Sequence, residues 1–180
     1  MAMRKAMGLG ALIAASALLV GCGAADSVEQ TAAPAADGAN KNPGLFEPCD
    51  IPDVALEAAG LDPATEDADF FGVQATGWEL CTWEAGWYYL AVLSTTHSFD
   101  EVKSNPNNLE LTAVDSIPGR DAVTYRDKSD VNRETCDAAF PFEGGTLIVR
   151  SDKKGTELAQ ELPCVMAVRG AVALNDVLPM

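Results

Sequence analysis

Apolar and polar positions divide the chain into four textures. Residues 8–20 (GLGALIAASALLV) are thirteen positions without a charge. Residues 23–44 are mostly Ala, Gly, Pro, Asp and Asn, with almost no large apolar side chain. From Leu45 onward short apolar runs alternate with turn residues, the texture of one globular domain over residues 45–180. Near the end, from Cys164 to Asn175, the chain is almost continuously apolar, and Arg169 is its single charge.

Within the domain these runs predict an order of elements. Val54, Leu56, Ala58 and Ala59 predict a short helix with Pro52 in its first turn and Gly60 at its end. Glu66-Asp67-Ala68-Asp69 reads as an acidic loop. Residues 77–84 (GWELCTWE) and 87–95 (WYYLAVLST) are rich in aromatic and β-branched side chains and predict a hairpin across Ala85-Gly86. Strand alternation puts Trp87, Tyr89, Ala91 and Leu93 on one face, and Tyr88, Leu90 and Val92 on the other. Ser98 followed by Asp100-Glu101 predicts the capped start of a second short helix, ended by Asn105-Pro106. Residues 109–114 and 122–126 predict strands around the turn Ile117-Pro118-Gly119-Arg120. Residues 134–142 and 146–151 predict a second hairpin across Glu143-Gly144-Gly145. Residues 156–178 predict a long helix with a break at Pro163, and with Val165, Val168, Ala171 and Val172 on one stripe. The sum is an α+β fold: a single domain with an antiparallel β-sheet and helices packed mainly on one face.

Composition supports a packed domain and narrows the partners. At 48% hydrophobic residues the chain can bury a core, which excludes disorder throughout. A net charge of −15 repels phosphate and excludes nucleic acid as the main partner. The acidity is uneven. Between Asn42 and Val102 there are twelve acids and no Lys or Arg, whereas nine bases and twelve acids follow from Lys103. Such a face keeps a protein soluble and away from anionic lipids, and it can also dock a basic envelope protein or a wall component.

The N-terminal texture is an address. Arg4 and Lys5 precede residues 8–20, a run too short for the ~20 residues that cross a bilayer. A basic start, a short apolar run and small residues after it match a secretory signal. Leu19-Val20-Gly21-Cys22 resembles the lipobox of bacterial lipoproteins, in which a diacylglycerol is attached to the cysteine thiol and the chain is cut before it. The expectation is a signal over residues 1–21, acyl chains on Cys22, and a flexible tether over residues 22–44 spanning on the order of 25 Å. The mature chain would sit on the extracytoplasmic face of the cell membrane, with 159 residues (180 − 21) and a formal charge of 10 − 27 = −17.

Four cysteines remain: Cys49, Cys81, Cys136 and Cys164. An even number outside the cytosol suggests two disulfides, with three possible connectivities. We favour Cys49–Cys81 and Cys136–Cys164, which pair sequence neighbours. Each closes a loop of about 30 residues, worth roughly 3–4 kcal/mol in the chain-entropy model. A metal site has little support, since no Cys-x-x-Cys occurs and His97 is the sole imidazole.

Five landmarks stand in order along the domain: Pro48-Cys49-Asp50, Leu80-Cys81-Thr82-Trp83, Pro118-Gly119-Arg120-Asp121-Ala122-Val123, Cys136 with Gly144-Gly145-Thr146-Leu147, and Leu162-Pro163-Cys164. Together, behind a lipobox, they resemble the actinobacterial lipoproteins of domain-of-unknown-function family 3558. The resemblance covers residues 45–179 and departs at Asp121, where the family pattern has proline. It implies a surface-anchored lipoprotein of a high-GC Gram-positive bacterium and a layered α/β fold similar to the PsbP-like group. It implies no catalytic residues.

Chemistry-bearing patterns are scarce. There is no Gly-x-Ser-x-Gly, no phosphate loop and no His-Glu-x-x-His. Residues 130–135 carry alternating oxygen ligands but lack the glycine a calcium loop needs at its sixth position, and read as a polar loop. No metal and no cofactor are expected. Trp78, Trp83 and Trp87 cluster near Tyr88 and Tyr89; most read as hairpin core, with Trp78, beside Gly77 at a strand edge, as the candidate ligand contact. The expectation is a non-enzymatic envelope domain that binds another protein or a wall component. The alternatives are a carrier of a lipid or hydrophobic ligand lined by the aromatic hairpin, and a carboxylate-dependent envelope hydrolase, which would need two acids in a cleft with raised pKa values.

Overall fold

In the computed structural model the described residues are Asn42, residues 44–69 and residues 75–180. A single 3-10 turn, Pro48–Asp50, leads into α1 (Asp53–Ala58). Then come β1 (Asp62–Asp67), β2 (Trp78–Ala85), β3 (Tyr88–Thr95), α2 (Phe99–Ser104), β4 (Asn108–Val114), β5 (Ala122–Asp127), β6 (Thr135–Phe142), β7 (Gly145–Lys153) and α3 (Pro163–Ala173). The seven strands make one sheet in the order β1-β2-β3-β7-β6-β5-β4. Every neighbouring pair is antiparallel. The expected α+β domain with one antiparallel sheet is what forms.

Turn chemistry sets the register. Ala85 lies opposite Tyr88, so Gly86 and Trp87 make a two-residue turn, and Gly86 takes a φ of +65°. Phe142 lies opposite Gly145 across Glu143-Gly144. Gly145 has no substitute there: its φ is +141°, and an added Cβ would stand 2.0 Å from the Thr95 carbonyl oxygen. The strands β3 and β7 then pair over their whole length, Thr95 with Thr146 through Tyr88 with Lys153.

Alternation sends one set of side chains from each strand to each face. Trp83, Leu90, Val92, Ala138, Phe140, Leu147 and Val149 form the main core with α1 and α3. Small residues let α3 lie close to the sheet: Ala167 and Ala171 are fully buried, and a Cβ on Gly170 would meet Leu90 at 2.7 Å. On the opposite face α2, held by a Ser98–Glu101 capping box, buries Phe99 and Val102 against Val123, Tyr125, Ala139 and Ile148. Helices α1 and α3 on one face and α2 on the other match the expectation of helices mainly on one side.

Both favoured disulfides are present, Cys49–Cys81 with Cα atoms 5.2 Å apart and Cys136–Cys164 with Cα atoms 4.9 Å apart. The first ties the segment before α1 to β2. The second ties β6 to the start of α3.

Three expectations need correction. The acidic stretch read as a loop belongs in part to β1, an edge strand whose exposed charges suit an unpaired border; Pro63 is tolerated there because an edge strand does not need every N–H. The terminal helix starts at Pro163 rather than at residue 156, because proline fits the first helical position and pushes the residue before it out of the helical region. Its buried stripe is Pro163, Met166, Ala167, Gly170 and Ala171, while Val165 and Val172 stay exposed at 44% and 40%. Just before the domain, Asn42 donates through Nδ2 to the Trp78 carbonyl at 3.0 Å and accepts from the Gly77 N–H at 2.7 Å.

Candidate functional site

The sheet face opposite α3 is the candidate for chemistry, because among the described residues α2 covers only part of it. The even residues of β2 and β7 and the odd residues of β3, β5 and β6 point to this side. One row crosses five strands in register: Thr82 opposite Ala91, Ala91 opposite Arg150, Arg150 opposite Asp137, Asp137 opposite Tyr125.

At the centre of the row sits an ion pair. Arg150 donates from Nε to Asp137 Oδ1 at 2.7 Å and from Nη2 to Oδ2 at 2.8 Å. Asp137 is 2% exposed, whereas a third of the Arg150 side chain remains open to solvent. A bidentate guanidinium–carboxylate pair is the strong form of this contact. The Asp137 charge raises the Arg150 pKa, so the guanidinium stays protonated. Burial, followed by the Asp137 charge, pushes the Tyr125 phenol well above its usual value and keeps it neutral. Burial also raises the Asp152 carboxyl, against the pull of Arg150.

Two depressions on this face share Arg150 as a lining residue and make up its trough. The smaller has an apolar wall of Leu80, Tyr89, Ala91 and Leu93, a volume of about 20 Å³ and the Thr82 side chain in its lining. The Thr82 hydroxyl is buried with no hydrogen-bond partner. The larger has a volume of about 260 Å³ and is lined by Trp78 and His97, by Asn105 just after α2 and Asn108 at the start of β4, and by Asp127 and Arg150. Trp78 is half-buried there, its ring centroid 5.9 Å from that of the exposed His97 and tilted by 55°.

The acids around the larger depression are tied down. The backbone N–H and hydroxyl of Ser98 hold the Glu101 carboxyl below its ordinary range. The Ser129 hydroxyl and N–H do the same for Asp127. Neither is poised as a protonated general acid.

Other candidates from the sequence fall elsewhere. Trp83 is in the main core, and Trp87 packs on Tyr88 at the hairpin tip with ring centroids 5.0 Å apart. In the polar loop at residues 130–135, Asp130 accepts the N–H groups of Glu134 at 2.9 Å and Thr135 at 3.0 Å, so its oxygens are used within the loop. Glu66 lies beside the sulfurs of Cys49 and Cys81, but both sulfurs are in the disulfide, so no thiolate ligand is offered. Cys22 lies outside the described residues.

The family described as protein of unknown function DUF3558 matches over residues 17–175. The chain belongs to this family. Searches of curated proteins and of solved structures found no match. The landmarks of this DUF3558 domain turn out to be structural. Pro48-Cys49 and Cys81 make one disulfide, Cys136 and Pro163-Cys164 the other. Gly119, at φ +74°, turns the chain so that Arg120 stacks on Phe140, 4.5 Å from its ring centroid, and binds the end of the chain: Asn175 Oδ1 at 2.6 Å, Pro179 O at 2.8 Å and Leu178 O at 2.9 Å. Asp121, where proline was expected from the resemblance, is exposed beyond this turn.

Apart from Leu80 and Thr82, the trough of this DUF3558 domain uses residues that the landmarks do not contain. Sequence reasoning singled out Trp78 and missed Arg150, Asp137, Asn105, Asn108 and Asp127. The available signal was a single charge, Asp137, in the otherwise uncharged β6, and Arg150 directly after the apolar run Leu147-Ile148-Val149 of β7.

Proposed function

We propose that the protein is a non-catalytic binding domain of the cell envelope, held on the extracytoplasmic face of the membrane by acyl chains on Cys22, and that it takes its ligand in the trough. The single observation that carries the reading is the sheet face that, among the described residues, is left open beside α2, with a 260 Å³ depression whose wall includes Arg150 paired to the buried Asp137. A fold gains nothing in stability from leaving such a face uncovered, and concave sites with a few placed polar groups are where ligands bind. The lipobox and the two disulfides favour the exported setting.

The alternatives fare less well on the same face. A hydrolase needs a carboxyl kept protonated beside a second carboxylate with room for the substrate; Glu101 and Asp127 are both held ionised, and Asp152, whose carboxyl burial raises, lines the smaller depression of about 20 Å³. A lipid carrier needs length, whereas the apolar depression has room for about one water molecule.

Photo-crosslinking in producing cells tests the reading. A benzophenone side chain replacing Tyr89, in the trough, is expected to form adducts, while one replacing Val165, on the outer side of α3, is expected to form none above background. Absence of adducts from both positions, or equal yields from the two, would contradict it.

A further inference from the structure

We propose that the larger depression is a saccharide subsite that takes one neutral, hydroxyl-rich sugar ring, seated on Trp78 and hydrogen-bonded by Asn105, Asn108, Asp127 and Arg150. The proposal rests on the reading of the trough as the binding face and names its ligand class.

The chemistry of the lining selects that class. A sugar ring has an apolar face of C–H groups and a rim of hydroxyls that both donate and accept. Trp78 offers a broad half-buried apolar surface in the lining of the depression. The other walls offer both kinds of polar atom. Asn105 uses Oδ1 for the Asn107 N–H and keeps its amide donors. Asn108 spends Nδ2 on the Val102 carbonyl and keeps Oδ1 as an acceptor. Asp127 gives Oδ1 to Ser129 and keeps Oδ2. Arg150 spends Nε and Nη2 on Asp137 and keeps Nη1.

Charge argues for a neutral ligand. Asp127 and Glu101 line the space and Asp137 lies beneath it, so the one guanidinium is outnumbered and an anion is repelled. Arg150 is committed to Asp137 and stands in the wall itself, which disfavours a compact cation. A volume of about 260 Å³ lies below the range for drug-sized ligands and suits a single ring with the rest of the chain outside.

The test is saturation-transfer NMR on the processed full chain. The neutral probes are maltotriose, cellotriose and α-1,6-mannotriose; the charged ones are trigalacturonate and spermidine. At least one neutral trisaccharide is expected to bind, about tenfold more weakly in Trp78→Ala, the size of one lost aromatic stacking contact. Trp87→Ala, at the hairpin tip, is expected to bind as the wild type does, and thermal unfolding checks that both variants fold. Binding of a charged probe alone, dependent on Trp78, would overturn the sugar class and leave the trough reading standing. Neutral binding unaffected by Trp78→Ala would overturn the location. No binding across the panel would overturn the subsite, and adducts from position 89 would then show that the broader reading survives it.

Discussion

Asp137 and Arg150 occupy alternating positions in two strands, and each alone looks like an ordinary outward-facing charge. Parity in the sequence places each on the face away from Val149 and Ala138. What parity does not contain is the register that sets β6 against β7 and closes the pair at 2.7 Å. The Glu143-Gly144 turn sets that register locally, and its length decides which residues meet; the close approach of Gly145 to Thr95, which seats the hairpin against β3, is non-local. The pair is therefore a test of what the face is for. Asp137→Asn leaves a guanidinium beside a neutral partner, and urea unfolding is expected to show a loss of about 3–5 kcal/mol. Replacing both, Asp137→Leu with Arg150→Met, is expected to be near neutral or stabilising by about 1–4 kcal/mol. A double variant as unstable as Asp137→Asn would mean that the pair is kept for the fold rather than for a ligand.

Among the elements, the two hairpins and α2 were legible because their signals are local: Gly86 and Gly144 in the turns, Ser98 and Glu101 in the cap. β1 was not, because an edge strand made of Asp, Pro, Ala, Thr and Glu has neither the apolar alternation nor the β-branched content of a buried one. The stripe of α3 was misread for a packing reason. Valines suggest burial, yet the helix approaches β3 through Gly170 and Ala167, which no hydrophobicity pattern ranks first. The tightest such approach is Gly145→Ala, where both the φ of +141° and the 2.0 Å gap to backbone oppose a Cβ. Chemical denaturation is expected to show a loss of at least about 2 kcal/mol. A change within about 0.5 kcal/mol, the range of an ordinary surface substitution, would mean that β3 and the second hairpin do not meet as described.

For the molecule as a whole, charge and cross-links decide the stability profile. Asp127 is held low by Ser129, and Asp130, despite burial, by the N–H groups of Glu134 and Thr135. Their contribution is present above the ordinary aspartate value of 3.8 and is lost as pH falls through their lower folded values. Burial acts the other way on Glu47 and Asp152, whose raised values give stability that is present at low pH and lost as pH rises through them. Thermal unfolding is thus expected to show stability rising as pH falls from neutral toward the ordinary carboxylate values, and falling again below the ordinary aspartate value of 3.8. A monotonic rise toward neutral pH would contradict those placements. Removing Cys136–Cys164, which anchors α3 to β6, is expected to cost about 2–5 kcal/mol in the same experiment.

The cysteine pairing was legible because neighbours in sequence pair, while the identity of the ligand-facing residues waited on the fold. Export and anchoring are the claim on which the proposed function rests, since a trough turned toward envelope components needs the domain outside the cytosol. Mass spectrometry of the N-terminal peptide from protein extracted from membranes of the producing cell addresses it directly. A chain beginning at Cys22 and carrying the added mass of a diacylglycerol is expected. A chain that retains residues 1–21, or whose Cys22 sulfur is unmodified, would contradict it.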